Sequence, residues 1–208
     1  MQIFPRSLNK LPMILGGVGT VVPALLVGAI WYYATPKNFQ VGYAPEQPVP
    51  YSHRLHAGQM GMDCRYCHAN VEVAAKAMIP ATQTCMGCHA MVKTESAKLA
   101  PVRESWETGK PIEWVHIHKL PDHAYFDHSA HLAAGVGCVT CHGRVDQMEV
   151  VRADQPLGMG WCLECHRDPK PNLRPKDQVT NMEWKPEMSP GWSAPEVNPP
   201  QHCSGCHR

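Results

Sequence analysis

Apolar residues are concentrated in one stretch near the start of the chain, and the remainder contains few long periodic segments. Residues 11–34 carry no charge, and about 20 apolar residues are enough to cross a membrane as a helix. Trp-Tyr-Tyr at 31–33 lies close to the end of this stretch, and such aromatic residues are typical of the membrane interface. The pattern predicts a transmembrane anchor helix over 11–34, preceded by an N-terminal tail over 1–10 and followed by a linker over 35–51.

The charges that flank this stretch predict its orientation. Arg6 and Lys10 lie on its short N-terminal side, and the positive-inside rule places such a side in the cytoplasm. A cleaved secretory signal peptide begins in a similar way, but this apolar run is longer than a signal sequence needs and no small-residue cleavage site follows it. We therefore expect a single-pass protein of the cytoplasmic membrane, with a cytoplasmic N-terminus and the rest of the chain on the periplasmic side.

The cysteines carry the candidate chemistry, because every cysteine belongs to one short signature, Cys-x-x-Cys-His. In c-type cytochromes the two sulfurs of this motif attach the porphyrin covalently, and the adjoining imidazole is the proximal ligand of the iron. The signature occurs five times and leaves no thiol over. The five sets are Cys64, Cys67 and His68; Cys85, Cys88 and His89; Cys138, Cys141 and His142; Cys162, Cys165 and His166; and Cys203, Cys206 and His207.

Two other uses of paired cysteines fit this pattern less well. A zinc ribbon also uses Cys-x-x-Cys pairs, but it does not need a histidine directly after each second cysteine. A disulfide across two intervening residues closes a very small loop and stabilises a fold little. The sequence therefore predicts five haem c groups. Attachment of this type takes place outside the cytoplasmic membrane, in agreement with the orientation above.

The composition leaves little material for an ordinary hydrophobic core. The chain has 20 prolines and three phenylalanines among 208 residues, so the porphyrins are expected to form most of the apolar interior. The predicted fold class is a multihaem cytochrome c, with short helices and loops around five haems, little or no sheet, and one N-terminal transmembrane helix. The formal net charge of +1 gives no indication of nucleic-acid binding.

An internal repeat organises the haem region. The pattern His-x-x-His precedes the first motif and occurs again before the third, at nearly the same offset, and a further motif follows in each copy. We therefore predict two two-haem modules, which we call the first and second repeat copies. The predicted bounds are 52–92 for the first copy, 93–127 for a joining segment, 128–167 for the second copy, and 168–208 for a proline-rich tail with the fifth haem.

The repeat also indicates the sixth ligands of the irons. Residues three apart on a helix share one face, so the two histidines of each His-x-x-His cannot easily occupy both poles of one iron. We expect them to bind two different haems. The predicted distal ligands are His53, His56, His128 and His131.

The fifth distal ligand remains open between several side chains. We favour His118, in the joining segment. A thioether in place of an imidazole would raise the reduction potential of its haem, although most methionines in such a protein pack against porphyrin. The rival candidates are His116, His123, Met159, Met148 and Met91.

Several longer segments carry a family resemblance. They include GMDCRYCH at 61–68, FDHSAH at 126–131, GCVTCHGRVDQM at 137–148 and MGWCLECHR at 159–167. Together with the anchor, they resemble the pentahaem membrane-anchored subunit of bacterial alternative complex III over essentially the whole chain. The modules are also similar to the cytochrome c3/c7 class, which is a less specific match.

The resemblance implies an electron-transfer subunit of a quinol:electron acceptor oxidoreductase in the bacterial cytoplasmic membrane. Other subunits would oxidise quinol and hold iron–sulfur clusters, and a monohaem cytochrome c or a terminal oxidase would accept the electrons. The remaining partner is the lipid bilayer. No catalytic residue is predicted, since irons with two axial ligands transfer electrons without binding substrate.

Two other functions fit parts of the same sequence. A stand-alone membrane-anchored multihaem quinol dehydrogenase, feeding periplasmic reductases, would reduce its own haems with quinol. A catalytic multihaem enzyme, such as a nitrite or hydroxylamine converter, needs an iron with an open coordination position. The chain has 13 histidines for five motifs, so an open iron is not expected, and whether the chain has an enzymatic activity of its own stays open.

Overall fold

The computed structural model describes residues 5–35 and 40–207. Residues 1–4 of the predicted N-terminal tail, 36–39 of the predicted linker, and 208 lie outside the described residues.

The described chain consists of short helices joined by long loops, and all five Cys-x-x-Cys pairs lie on helices. This arrangement confirms the expected helical and loop-rich fold. Its α-helices are α1 (Leu11–Tyr33), α2 (Cys64–Cys67), α3 (Thr82–His89), α4 (Ala100–Thr108), α5 (His128–Ala134), α6 (Cys138–His142), α7 (Met159–Arg167) and α8 (Cys203–Cys206). The shorter elements are a π-helical turn, Arg54–Gln59, and 3-10 turns at Arg6–Lys10, Ala97–Leu99, Val145–Gln147, Lys170–Asn172, Lys176–Gln178 and Pro186–Met188.

Sheet structure is confined to isolated bridges. Over residues 5–35 and 40–207 no strand forms, and the antiparallel bridges join Ala124 to His207 and Val136 to Leu173. Both bridges connect segments that are far apart in the sequence. The expectation of little or no sheet is confirmed for the described residues.

Helix α1 corresponds to the predicted anchor and ends one residue before the predicted bound. It has 23 residues, which at about 1.5 Å per residue is enough to cross a hydrocarbon core of about 30 Å. None of its residues is buried within the described chain, so its apolar side chains are free to face lipid. Helix α1 is therefore a candidate membrane anchor.

Helix α4 closes one side of the first repeat copy. Its Ser105 hydroxyl lies 2.6 Å from the Thr82 hydroxyl at the start of α3, and it donates to the carbonyl oxygen of Lys110 over 2.5 Å. Val102, on the same helix, is only 2% exposed. The joining segment thus contains a helix that packs on the second haem motif.

The two repeat copies pack against each other through backbone contacts. The amide of Arg54 donates to the carbonyl oxygen of Met148 over 3.0 Å, and the amide of His128 donates to the carbonyl oxygen of Ala75 over 3.2 Å. Gly58 lies so close to the carbonyl of Asp146 that a Cβ atom at position 58 would collide with it. The copies are therefore interlocked, with each His-x-x-His segment touching the other copy.

The tail wraps over both copies, which the sequence had left undecided. The amide of Cys138 donates to the carbonyl oxygen of Val179 over 3.0 Å. One residue further on, the Thr180 hydroxyl donates to the carboxylate of Asp63 over 3.0 Å. The proline-rich segment thus holds the starts of α2 and α6 together.

The linker is fixed to the haem region after residue 40. The side-chain amide of Gln47 donates to the carbonyl oxygen of Val115 and accepts from its amide, both over 3.0 Å. Gly42 and Tyr43 make a similar pair of backbone hydrogen bonds with Ala153, of 2.7 and 3.0 Å. These bonds attach the segment that follows the anchor to the middle of the molecule.

Candidate haem-binding sites

Each motif presents its two sulfurs on one face of a helix. The cysteines of a Cys-x-x-Cys pair are three residues apart, and such residues are neighbours on a helix surface. All ten cysteines are free thiols, and none is fully buried. The thiols are therefore available for thioether bonds to a porphyrin.

The predicted proximal histidines are oriented by hydrogen bonds from Nδ1. This arrangement leaves Nε2 free for an iron, as is usual for metal-bound histidine. Nδ1 of His142 makes no hydrogen bond among the described residues, so it is the exception. The Nδ1 donors and the carbonyl oxygens that accept are His68 with Met78 (2.7 Å), His89 with Val92 (2.9 Å), His166 with Pro200 (2.6 Å) and His207 with His123 (3.0 Å).

The second His-x-x-His lies on α5, where Asp127 caps the helix. The Asp127 carboxylate accepts from the amide of Ser129 over 2.8 Å, and Gly135 ends the helix with φ of 94°. His128 donates through Nδ1 to the carbonyl oxygen of Ala75 over 2.8 Å. His131 donates through Nδ1 to the carbonyl oxygen of Asp127 over 2.6 Å. Both Nε2 atoms therefore remain free.

The first His-x-x-His is built in the same way on a different helix type. Its histidines lie at the start of the π-helical turn, and the Ser52 hydroxyl accepts from the amide of Leu55 over 3.1 Å. His56 donates through Nδ1 to the carbonyl oxygen of Ser52 over 2.9 Å. The helix assumed for this pair is therefore an α-helix only in the second copy. Both copies nevertheless have a side-chain cap at the start of the helical segment and a hydrogen bond from Nδ1 of the second histidine.

Two pairs of imidazoles have the spacing expected for axial ligands of one iron. Metal–imidazole bonds of about 2.0 Å, with each nitrogen roughly 1.1 Å from its ring centre, place the two ring centres about 6.2 Å apart. The ring centres of His56 and His89 are 6.2 Å apart, and those of His131 and His166 are also 6.2 Å apart. In each copy the second histidine of His-x-x-His therefore faces the second motif.

The first histidine of each His-x-x-His lies beside the first motif of its copy. The ring centres of His128 and His142 are 6.4 Å apart, with ring planes inclined by 11°. Burial, followed by the nearby His68, lowers the pKa of His53 to about 4. Its Nδ1 is buried without a hydrogen-bond partner.

The structure does not bring His118 to the fifth motif. The His118 ring lies 4.4 Å from the ring of His142 at an angle of 79°, which is too close for an iron between them. The nearest imidazole to His207 is that of His123, with ring centres 5.5 Å apart. The backbone carbonyl of His123 accepts from Nδ1 of His207, and a separation of 5.5 Å is shorter than the roughly 6.2 Å expected for two imidazoles on one iron. His118 as the fifth distal ligand stays a prediction.

The remaining candidate ligands occupy varied environments. Met148 is 4% exposed and belongs to the apolar interior, whereas Met159 is 68% and Met91 84% exposed. His116 lines a cavity of about 250 Å³ together with Tyr43 and several polar side chains.

The buried imidazoles are kept neutral, the state in which histidine binds a metal. Burial, followed by the nearby His118 and His128, lowers the pKa of His142 to about 3. Burial also lowers the pKa values of His118 and His131. Neutral imidazoles with free Nε2 atoms, beside paired free thiols, fit covalently attached haem.

Comparison with known proteins agrees with this geometry. Residues 124–208 match the family model described as cytochrome c7 and related cytochrome c. Over this region the chain is similar to multihaem cytochromes c, in agreement with its short helices and loops. The matched region contains the last three motifs, and the family implies haem c as the cofactor.

A curated relative extends the likeness beyond the matched region. The chain is 32% identical, over 129 residues, to the menaquinone reductase multiheme cytochrome c subunit of Nitratidesulfovibrio vulgaris (strain Hildenborough). The alignment covers 61% of this chain and 60% of the relative. The chain therefore spans less than two thirds of the length of the relative that it matches.

Two aromatic residues that the sequence analysis missed pack on the histidines of the two His-x-x-His segments. Tyr51 stacks on His56 with ring centres 4.4 Å apart and meets His53 edge-on at 4.8 Å. Phe126 stacks on His131 at 4.4 Å and meets His128 edge-on at 4.7 Å.

Both aromatic residues stand two positions before a His-x-x-His. The sequence shows this shared aromatic position when the two repeat copies are aligned, since Tyr-Ser-His in the first copy corresponds to Phe-Asp-His in the second. Each ring contacts both histidines of its copy, so it restricts the rotation of two imidazoles at once.

The fourth motif borders a second cavity. Its volume is about 230 Å³, and Thr140, Trp161, Cys165 and Asn172 are among its lining residues. Trp161 and Cys165 line this cavity together, so Trp161 is placed to pack on a porphyrin attached at the fourth motif. Tyr66 is 56% exposed beside the first motif.

Interactions between thiols indicate which attachment sites are neighbours. The Cys64 and Cys138 thiols lie beside each other and interact directly, and weaker electrostatic interactions link the other pairs. The sites therefore follow one another in space in the order second, first, third, fourth and fifth. The neighbouring pairs are Cys85 with Cys67, Cys64 with Cys138, Cys141 with Cys165, and Cys162 with Cys206.

Removing the cap of α5 should loosen two predicted iron ligands. We expect Asp127→Ala to lower the thermal unfolding temperature of the holoprotein, because the free amides at the start of α5 lose their acceptor. Asp127→Asn, which can accept the same hydrogen bonds, should stay close to the wild type. Thermal unfolding followed by the Soret absorbance checks this, and equal destabilisation by Ala and Asn would contradict a capping role.

Proposed function

We propose that this chain is a membrane-anchored pentahaem electron-transfer subunit of a quinol-oxidising complex. The observation that carries the proposal is the continuous series of five motif helices, in which the predicted iron ligands stand in pairs 6.2 to 6.4 Å apart at three of the motifs. Haem c bound at these sites would supply one-electron transfer. The chain's own residues hold the attachment points in one series.

The cysteines and histidines of the motifs would hold the haems, with His53, His56, His128 and His131 as distal ligands. The hydrogen bonds from Nδ1 to backbone carbonyls support this assignment, because they orient the rings and raise the basicity of the free Nε2. Tyr51 and Phe126 restrict ring rotation. Such a rigid set of ligands favours electron transfer over substrate binding, since it fills the axial positions.

The partners follow from the relative and from the anchor. The relative's name describes a menaquinone reductase subunit, and helix α1 would keep this chain at the membrane, where quinol is found. We propose the more specific assembly suggested by the sequence, alternative complex III. In this assembly quinol-oxidising and iron–sulfur subunits are the electron donors, and a cytochrome c or a terminal oxidase is the acceptor.

The orientation is part of the proposal. Arg6 and Lys10 precede α1, and under the positive-inside rule they place its N-terminus in the cytoplasm. The haem region then lies on the periplasmic side, where covalent attachment occurs. Proteinase treatment of intact spheroplasts should degrade the haem region, and protection of the haem region would contradict this orientation.

The assembly is tested by purifying the tagged full-length chain from native membranes in a mild detergent. We expect an iron–sulfur protein and polytopic membrane subunits to co-purify, and we expect a menaquinol analogue to reduce the haems in that assembly only. A matched control carries an unrelated transmembrane helix of the same length in place of α1. Recovery of the chain alone, fully reducible by quinol, would favour the stand-alone dehydrogenase instead.

A further inference from the structure

Arg174 is a buried cation without an anionic partner in the described part of the chain. Only 8% of the residue is exposed. Its Nη1 donates to the carbonyl oxygen of Asn181 over 3.0 Å, and its Cζ lies 5.3 Å from the centre of the Trp184 ring. Its Nε is buried without a hydrogen-bond partner. Among residues 5–35 and 40–207, the ion pairs formed by carboxylates do not include this guanidinium.

The surrounding backbone fixes where this charge lies. The amide of Arg174 donates to the carbonyl oxygen of Gly135 over 2.9 Å, which attaches the tail to the end of α5. The guanidinium then packs on Gly137, where a Cβ atom would collide with it. Position 137 therefore has to be glycine for the charge to stay against the start of α6.

This placement puts the charge beside two attachment sites. Gly137 directly precedes Cys138, and the Cys138 sulfur lies beside Cys64 of the first motif. Because the guanidinium packs on Gly137, it lies at the point where the first and third motifs meet.

The other charges near this point pair with one another. Asp63 accepts from Nε and Nη2 of Arg65, both over 2.9 Å, and from the hydroxyl of Thr180. Arg65 also pairs with Glu72 over 3.1 Å. Arg174 is thus the buried charge near Cys64 and Cys138 that forms no ion pair with the described residues.

We propose that Arg174 raises the reduction potentials of the haems at the first and third motifs relative to the other three. Reduction adds one electron to an iron and breaks no bond, so it lowers the positive charge of the site by one. A nearby buried cation favours the less positive state, and burial weakens the screening by water. Arginine keeps its charge when buried. The proposal rests on haem occupation of these two motifs and not on the identity of the electron donor.

Spectroelectrochemical titration of the detergent-purified full-length chain tests the proposal with Arg174→Gln and Arg174→Lys. For R174Q we expect two of the five haems to titrate lower, with an equilibrium constant for reduction decreased by about tenfold, or about 59 mV for one electron. R174K keeps the charge without the guanidinium and should remain near the wild-type curve. Unchanged potentials in R174Q, or equal shifts in both variants, would overturn the proposal.

A second variant changes the local charge without altering Arg174. Asp63→Asn removes a negative charge beside the same two motifs, and asparagine can still cap α2. We expect the same two haems to titrate higher in D63N. If R174Q fails to fold, the titration of D63N alone tests the proposal. Unchanged or lower potentials of these two haems in D63N would overturn it.

Haem content separates a failure of this proposal from a failure of the proposed function. Each variant and the wild type are assayed for haem per chain as the pyridine haemochrome. Absence of haem in the wild type would contradict the proposed function as a whole. Fully loaded variants with wild-type potentials would contradict only the role of Arg174.

Discussion

Replacing both cysteines of the third motif, Cys138→Ser with Cys141→Ser, is expected to prevent the chain from accumulating as a folded protein. Helix α6 lies in the middle of the series of sites. Its first sulfur lies beside that of Cys64, and its first amide donates to the carbonyl oxygen of Val179 in the tail. Loss of the haem at this site would therefore remove the common support of both repeat copies and of the tail.

The small size of the ordinary core is the reason for so large an effect. Burial of apolar side chains is the main source of stability in most domains, and here the fully buried apolar residues are few and scattered. A chain of this length cannot offset the entropy of ordering its backbone with so few contacts. The buried apolar residues of the described chain are Val49, Val71, Val102, Met148, Ala153, Leu173 and Val179.

The fifth motif provides a matched control for this experiment. Cys203→Ser with Cys206→Ser removes the same two sulfurs from the end of the series, where the Cys203 thiol is exposed. The amide of Tyr125 donates to the carbonyl oxygen of Cys206 over 2.8 Å. We expect this variant to accumulate with four haems per chain, measured by immunoblot of membranes and pyridine haemochrome assay. Equal loss of protein in both variants would contradict a central role for α6.

His56→Ala is expected to open one of the five irons to carbon monoxide. The His56 ring faces the His89 ring at 6.2 Å, and both rings donate through Nδ1 to carbonyl oxygens, so that each Nε2 can face the iron. Removal of one imidazole leaves a five-coordinate iron, which binds carbon monoxide when reduced. The difference spectrum of the reduced protein should show about one fifth of the haem reacting, since one of five irons is opened.

Two further variants give this experiment its controls. His202→Ala removes an exposed histidine that is not paired with a motif histidine, and it should leave carbon monoxide binding at the wild-type level. His56→Met restores a sixth ligand, so carbon monoxide binding should disappear again while the potential of that haem rises. Absence of carbon monoxide binding in H56A would show that another group ligates the iron bound by His89.

The haem-attachment sites could be predicted from the sequence because each one is formed by neighbouring residues. The sulfurs and the proximal imidazole of each motif are contiguous, so their identity does not depend on any distant contact. The same holds for helix α1, whose residues make their hydrogen bonds within the helix and need only an apolar surface. The structure places α1 within one residue of the predicted span, and all five motif helices where the cysteines are.

The repeat was recognisable, but its details were not. The sequence indicated that the two histidines of each His-x-x-His serve different haems, because of their spacing. It assumed an α-helix for both copies, whereas the first copy forms a π-helical turn. Gly58 of this turn packs against the carbonyl of Asp146, a contact between distant segments that no local pattern contains.

The cofactor chemistry, the attachment cysteines, the proximal histidines and the anchor could be predicted from the sequence, since each depends on neighbouring residues or on average polarity. The order of the sites in space, the contact of His118 with His142 and the burial of Arg174 beside the third motif became known from the folded structure. These features depend on how a mostly irregular chain, with its proline-rich tail, packs against itself. Contacts between segments separated by many residues are set by the shape and polarity of both partners together.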